Sequence, residues 1–160
     1  RRLASAGANG IVMFNRFYSP DLDMETLDMK PKIGLSTQAE LRLPLRWIGI
    51  AREFLNISIA GSTGVHAGRD AAKLILAGAD VTMMTSALLF HGASYLGTIE
   101  HELREWMHEH SYHTVDEMRG AVRREAVADP TAYERANYIG NITSYTSRFL
   151  HAQPIHLHKR

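Results

Sequence analysis

Apolar and polar positions along the chain change period several times, and each change marks an element. GIVMFNRF (10–17) is a short apolar run, rich in strand formers and bounded by glycine, that predicts a buried strand over 11–15. Upstream, Arg1 to Ala6 reads as the last turns of a helix stopped by Gly7. Residues 18–35, YSPDLDMETLDMKPKIGL, combine prolines and acidic side chains with little periodicity and predict a long loop or a small irregular excursion. From Ser36 the pattern turns helical. In STQAELRLPLRWIGIAREFL a Ser or Thr stands at the N-cap with Glu40 close behind, and Leu41, Leu45, Ile48 and Leu55 recur at helical spacing. Pro44 inside that run implies a kink or a late helix start.

The next stretch reads strand, helix, strand: NISIAG (56–61), AGRDAAKLILAGA (67–79) with a glycine stop, and DVTMMTS (80–86). Turns this short between such elements demand a parallel sheet. The remainder reads as helices in SALLFHG, ASYLGTIEHELREWMHEH, TVDEMRGAVRREAV and DPTAYERANYIGNITSYTSRFL, with a disordered tail over 151–160. All the strands thus fall in the first 86 residues. Exposed edges of a parallel sheet are a liability, so this reads as part of a larger sheet.

Composition narrows the possibilities. With 160 residues, 45% of them hydrophobic, the chain can bury a core as one domain. Eighteen basic against seventeen acidic residues leave a net charge of +1, which provides no general field for nucleic acid or an anionic membrane. The absence of cysteine excludes disulfides and thiolate chemistry within the chain and fits a reducing compartment. No run reaches the length of a membrane span, and RRLASAGANG lacks the pattern of a signal peptide, so a cytoplasmic location is expected. A start without methionine, inside a helix, is what a chain cut from something longer would show.

The candidate chemistry lies in two turns. In GSTGV, Gly61 and Gly64 permit a tight turn after a strand, Ser62 and Thr63 add hydroxyls, and the amides of the following helix favour a phosphate dianion. A strand-to-helix turn holding no ligand explains that motif equally well. One βα unit later, Thr85 and Ser86 in MMTSALL repeat the arrangement at the start of a short helix. Paired polar turns after neighbouring parallel strands are how (β/α)8 barrels grip phosphate. A dinucleotide fold would need G-x-G-x-x-G and an acid at the next strand end, and the chain has GSTG and no such acid.

Taken in order, GANGIVMFNRFYSPDLDMETL, LSTQAELRLPLRWI, STGVHAGRDAAKLILAGADVTMMTSALL and ADPTAYERANYIGNITSY resemble the carboxyl-terminal half of the bacterial dihydroorotate dehydrogenase-like flavoproteins, relatives of the class 1 dihydroorotate dehydrogenases. The resemblance implies an α/β fold, a partial (β/α)8 barrel made of its last three strands, with FMN as cofactor. It implies barrel structure over 1–92 and terminal helices over 93–150. It also implies that Asn15 faces substrate and flavin, that Gly34, Leu35 and Ser36 lie beside the ribityl phosphate, and that Ser62, Thr63 and Gly64 form the first phosphate turn and Thr85 and Ser86 the second. Thr63 stands where the family has a glycine, and Thr85 where many relatives have one. The family's base and flavin-contacting lysines come from the first five strands, so no catalytic residue is assigned here. The implied partners are a small-molecule substrate and either a second copy or an amino-terminal half-barrel.

Several other features have plainer explanations. His101, Glu105 and His108 share one helix face with metal-ligand spacing, but their neighbours Glu102, Arg104 and Glu109 make that face a solvated one, with Leu103, Trp106 and Met107 turned inward. Trp47 and Trp106 occupy apolar helical positions and read as core. His66, after the first turn, reads either as a ligand contact through a ring N–H or as a surface histidine. Arg16 is a candidate for a substrate carboxylate, although strand alternation points it away from Asn15.

Overall fold

Three parallel strands form the centre of the computed structural model, which describes residues 1–16, 20–31 and 34–131. They are β1 (Gly10–Met13), β4 (Ser58–Ser62) and β5 (Val81–Met83), in spatial order β1-β4-β5. Gly10 pairs with Ser58 and Met13 with Gly61, while Ala60 to Ser62 pair with Val81 to Met83. The first and third strands are shorter than the 11–15 and 80–86 read from sequence, because pairing stops where the chain turns toward the loops. The Met13–Phe14 peptide is cis. A short helix, α1 (Arg2–Ser5), precedes β1 and ends before Gly7 at φ +97°.

The run 18–35 is not irregular throughout. Strands β2 (Pro20–Asp23) and β3 (Asp28–Pro31) pair antiparallel, Leu22 opposite Met29. Asp23 nucleates the turn: its Oδ1 accepts the N–H groups of Glu25 (2.9 Å) and Thr26 (3.0 Å), and its Oδ2 pairs with Lys30. Lys30, then those two amides, hold its carboxyl below the usual range. An Asx turn and a cross-strand ion pair thus make a hairpin without the alternation that sequence reading seeks.

The next helix starts late, as Pro44 implied. Thr37 and Glu40 form a reciprocal capping box on a 3-10 turn (Gln38–Leu41), and α2 (Arg42–Ala51) follows with Pro44 buried in its first turn. Helix α2 and α3 (Gly68–Ala77) cover one face of the sheet. Ile59 is buried between Ile48, Leu74 and Ala71, and a Cβ on Gly61 would come within 2.8 Å of Leu74 Cδ1 and 3.1 Å of Ile48 Cδ1. The opposite face carries Val12, Val81 and Met83, each about half exposed. Trp47 is exposed as well. It lines an apolar groove of about 400 Å³ beside β1 with Leu3, Ile11, Phe54 and Leu55, so its reading as core is corrected: α1 borders that groove without covering Trp47.

After β5 come α4 (Ser86–His91) and α5 (Tyr95–Glu109), the latter packed on α3 so closely that a Cβ on Gly68 would lie 2.4 Å from Leu103 N. Ala72, Ile75, Met107 and Met118 form a second core there. The helix expected over TVDEMRGAVRREAV is only α6 (Val115–Met118), with a 3-10 turn at Arg124–Ala126. Gly120, at φ +73°, and Val122 instead donate their N–H groups to Ile75 O (2.9 Å) and Leu76 O (3.0 Å). The last carbonyls of α3 need donors, and this segment gives up its own helix to supply them. The expected helix over 129–150 falls almost wholly outside the described residues, and the tail 151–160 entirely so.

Candidate functional site

Asn15 and the two turns follow the carboxyl ends of the parallel strands β1, β4 and β5, and Gly34–Ser36 reaches them from the loop between β3 and the 3-10 turn. Beyond β4 the chain reverses through two consecutive residues of positive φ, Thr63 (+78°) and Gly64 (+81°). Gly64 must be glycine twice over. Its φ disfavours a side chain, and a Cβ would sit 2.4 Å from Leu41 N and 2.9 Å from Leu41 Cα. Thr63, branched at Cβ, holds a conformation costly for such a residue. Its Oγ1 donates to Phe14 O at 2.9 Å, tying this turn to the end of β1. The hydroxyl read as a ligand donor is therefore spent within the fold.

The loop Gly34–Ser36 joins the second turn directly. Ser36 is buried, with 5% exposure, and its N–H donates to Ser86 Oγ at 2.9 Å. Its own Oγ lies 3.3 Å from His66 Nε2. Leu35 is half-buried, while Gly34 is exposed with open space around its Cα. Thr85 is exposed at the N-cap of α4 and makes no side-chain cap bond. Ser62 is half-buried and falls in register with Met83, on the sheet face away from α2 and α3. Three segments far apart in sequence thus converge, with Ser36 bonded to both of the others.

Two features run against the sequence reading. Two amides at the start of α3 are taken within the fold: Gly68 N–H donates to Glu102 Oε2 (2.6 Å) and His66 N–H to Asp70 Oδ2 (3.2 Å). The helix begins four residues beyond Gly64, so its positive end is met by the chain's own carboxylates. Arg16 turns to Glu40, with Nε 3.1 Å from Oε1. The Thr37 N–H, and then Arg16 against a burial effect of opposite sign, hold the Glu40 carboxyl below its usual range.

What remains is a largely neutral donor set. The N–H groups of Gly64 and Thr85 meet no acceptor among the described residues. Ser86 Oγ, accepting from Ser36, keeps its proton free to donate. Asn15 lies exposed two residues past β1. Its Oδ1 accepts the Arg16 N–H at 2.9 Å, which leaves its carboxamide N–H groups free. Lys73 is engaged with Asp70, which also accepts from Gln38 (2.9 Å). Asp70, Tyr95 and Glu102, which hold His66 and the start of α3, escaped sequence reading because nothing local ties a residue near 100 to one near 67. On α5, His101, Glu105 and His108 are exposed, and no group of three or more potential metal ligands occurs among the described residues. No helix among them is long and apolar enough to cross a membrane.

No family model matches the chain. It is 31% identical over 130 residues to the chloroplastic dihydropyrimidine dehydrogenase (NADP(+)) of Arabidopsis thaliana, covering 72% of this chain and 30% of that protein. It is 37% identical over 86 residues to a putative dihydroorotate dehydrogenase A (fumarate) of Pediococcus pentosaceus, covering 51% and 28%. Against the dihydroorotate dehydrogenase (fumarate) of Trypanosoma cruzi it is 31% identical over 119 residues, covering 72% and 36%. The chain spans about a third of the length of these relatives. The ligand-free dihydroorotate dehydrogenase structure from Eimeria tenella superposes with a TM-score of 0.61 at 20% identity, over 76% of this chain and 34% of that one, which shows a shared fold. The resemblance carried by the sequence motifs is thus a kinship with the dihydroorotate dehydrogenases.

Proposed function

We propose, from this kinship with the dihydroorotate dehydrogenases, that the chain is the flavin-phosphate-binding portion of an FMN-dependent oxidoreductase acting on a reduced pyrimidine such as dihydroorotate. The observation that carries the reading is the junction of Gly34–Ser36 with the turns after β4 and β5, made by Ser36 against Ser86 and His66. The donors there suit a phosphate: amides at Gly64 and Thr85, hydroxyls at Ser62 and Ser86, and a turn at Gly64 that admits no side chain. Thr63 would shape the turn without touching the ligand. Asn15 would offer its carboxamide hydrogens to a carbonyl or carboxylate of the substrate. When bound, FMN supplies the hydride acceptor for oxidation of the substrate's ring carbons. This chain's own residues bind and orient, and the proton-abstracting base comes from elsewhere.

A (β/α)8 barrel needs eight strands, and the parallel sheet described here has three. Its half-exposed apolar face and the groove beside β1 are what a barrel interior and an adjoining βα unit would cover. A second copy or a separate half-barrel is the corresponding partner. The test is a purified chain titrated with FMN and sized in the same run. Bound flavin released by denaturation is expected, with no bleaching by dihydroorotate under anaerobic conditions; colourless protein that ignores FMN would overturn the reading.

A further inference from the structure

His66 is the titratable side chain bonded directly into the cradle. Its Nε2 lies 3.3 Å from the Oγ of buried Ser36, and Ser36 is anchored by its N–H on Ser86. The backbone that carries the ring is fixed: the carbonyl of His66 accepts from Tyr95 OH (3.3 Å) and its backbone N–H donates to Asp70 Oδ2 (3.2 Å), while Phe90 stands 6.3 Å from the ring, centroid to centroid. A serine hydroxyl that accepts from an imidazole N–H still has its own proton to give. With Nε2 protonated, donation runs from His66 to Ser36 and from Ser36 outward to whatever anion the cradle holds.

Among the described residues, the surrounding charges leave this as the cradle's route to positive charge. Arg16 is matched by Glu40 on the loop side. On α3, Asp70 is matched by Lys73, and Arg69 is exposed. On α5, Glu102 is committed to the Gly68 amide and Tyr95 to the His66 carbonyl; on α4, His91 stacks on Tyr95 at 4.3 Å. A dianion held by neutral donors is stabilised further by a cation one hydrogen bond away, and it favours the charged form of that group.

Resting on the phosphate-site reading, we propose that His66 is a positioning residue coupling ligand and proton. Binding of a phosphate dianion draws a proton onto the imidazole, which strengthens the Ser36 hydroxyl as a donor. The site would therefore distinguish a phosphate monoester from the same molecule lacking its phosphate by proton uptake as well as by affinity.

The experiment is calorimetric titration of the chain with FMN, riboflavin and inorganic phosphate at pH 7.5, in two phosphate-free buffers of different ionisation enthalpy. FMN, already mostly dianionic at this pH, should bind with net proton uptake and riboflavin without it, while inorganic phosphate, which sheds part of its own proton on binding as the dianion, reports affinity only. His66→Gln, which keeps an N–H donor for Ser36 but cannot titrate, should bind FMN several-fold more weakly with the uptake lost, at unchanged thermal stability. Binding of FMN without proton uptake, or the same uptake in His66→Gln, would overturn the inference and leave the phosphate site standing. Failure of both FMN and inorganic phosphate to bind the wild-type chain would overturn the site and the inference together.

Discussion

Replacing Gly64 with alanine tests the first turn most directly. At φ +81° an L side chain costs about 1–2 kcal/mol. The new Cβ would also lie 2.4 Å from the backbone nitrogen of Leu41, where the capped 3-10 turn passes into α2. That neighbour is backbone and cannot rotate away, so overpacking adds roughly 1–3 kcal/mol. The total, about 2–5 kcal/mol, corresponds to a fall in Tm of roughly 5–15 °C for a chain of this size. Urea denaturation followed by circular dichroism measures it, the midpoint shifting at constant m-value. Two controls separate the contributions. Gly7→Ala, at φ +97° after α1 with nothing within 4 Å, carries the backbone cost alone and should lose about 1 kcal/mol. Gly61→Ala has an ordinary φ and meets the mobile end of Leu74, so it carries packing cost alone. A Gly64→Ala loss no larger than that of Gly7→Ala would refute the close approach to Leu41, and with it the placement of the turn.

Thr63→Val removes the bond to Phe14 while keeping shape and backbone strain, and should cost about 1–2 kcal/mol by the same denaturation assay. Thr63→Gly should cost less, since relief of the positive φ offsets part of that loss. Asp80 accepts the Ile59 N–H at 2.7 Å and pairs with Arg52 and Arg119. Burial works to raise its carboxyl, but the Ile59 amide, Arg52 and Arg119 outweigh it and leave it below the usual value. The folded chain therefore binds this proton more weakly than the unfolded one. Its contribution is complete above about pH 4 and is lost as pH falls through the lower, folded value. Stability curves of wild type and Asp80→Asn, measured by urea melts from pH 7 to pH 2, should converge toward acid; parallel curves would contradict the assignment.

Sequence by itself determined whatever depends on neighbours a few residues apart. The βα alternation, the glycine stops at Gly7 and Gly78, a Ser or Thr cap with Glu40 close behind it and the kink or late start implied by Pro44 all follow from backbone geometry and side chains within one turn. Position alone could not reveal which groups were free. Thr63 and Ser62 are adjacent hydroxyls in one motif, yet Thr63 is bonded 49 residues back along the chain. The Gly68 amide at the start of α3 looked open, but Glu102, 34 residues on, caps it. The expected helix after Thr114 gave way because the end of α3 needed donors, and Trp47 lies exposed on a groove that α1 borders without covering it. Hydrogen-bonding capacity is limited and is claimed by whichever partner the packed chain brings nearest. Tertiary structure alone therefore decided that Ser36 joins the two turns, its N–H on Ser86 and its hydroxyl beside His66.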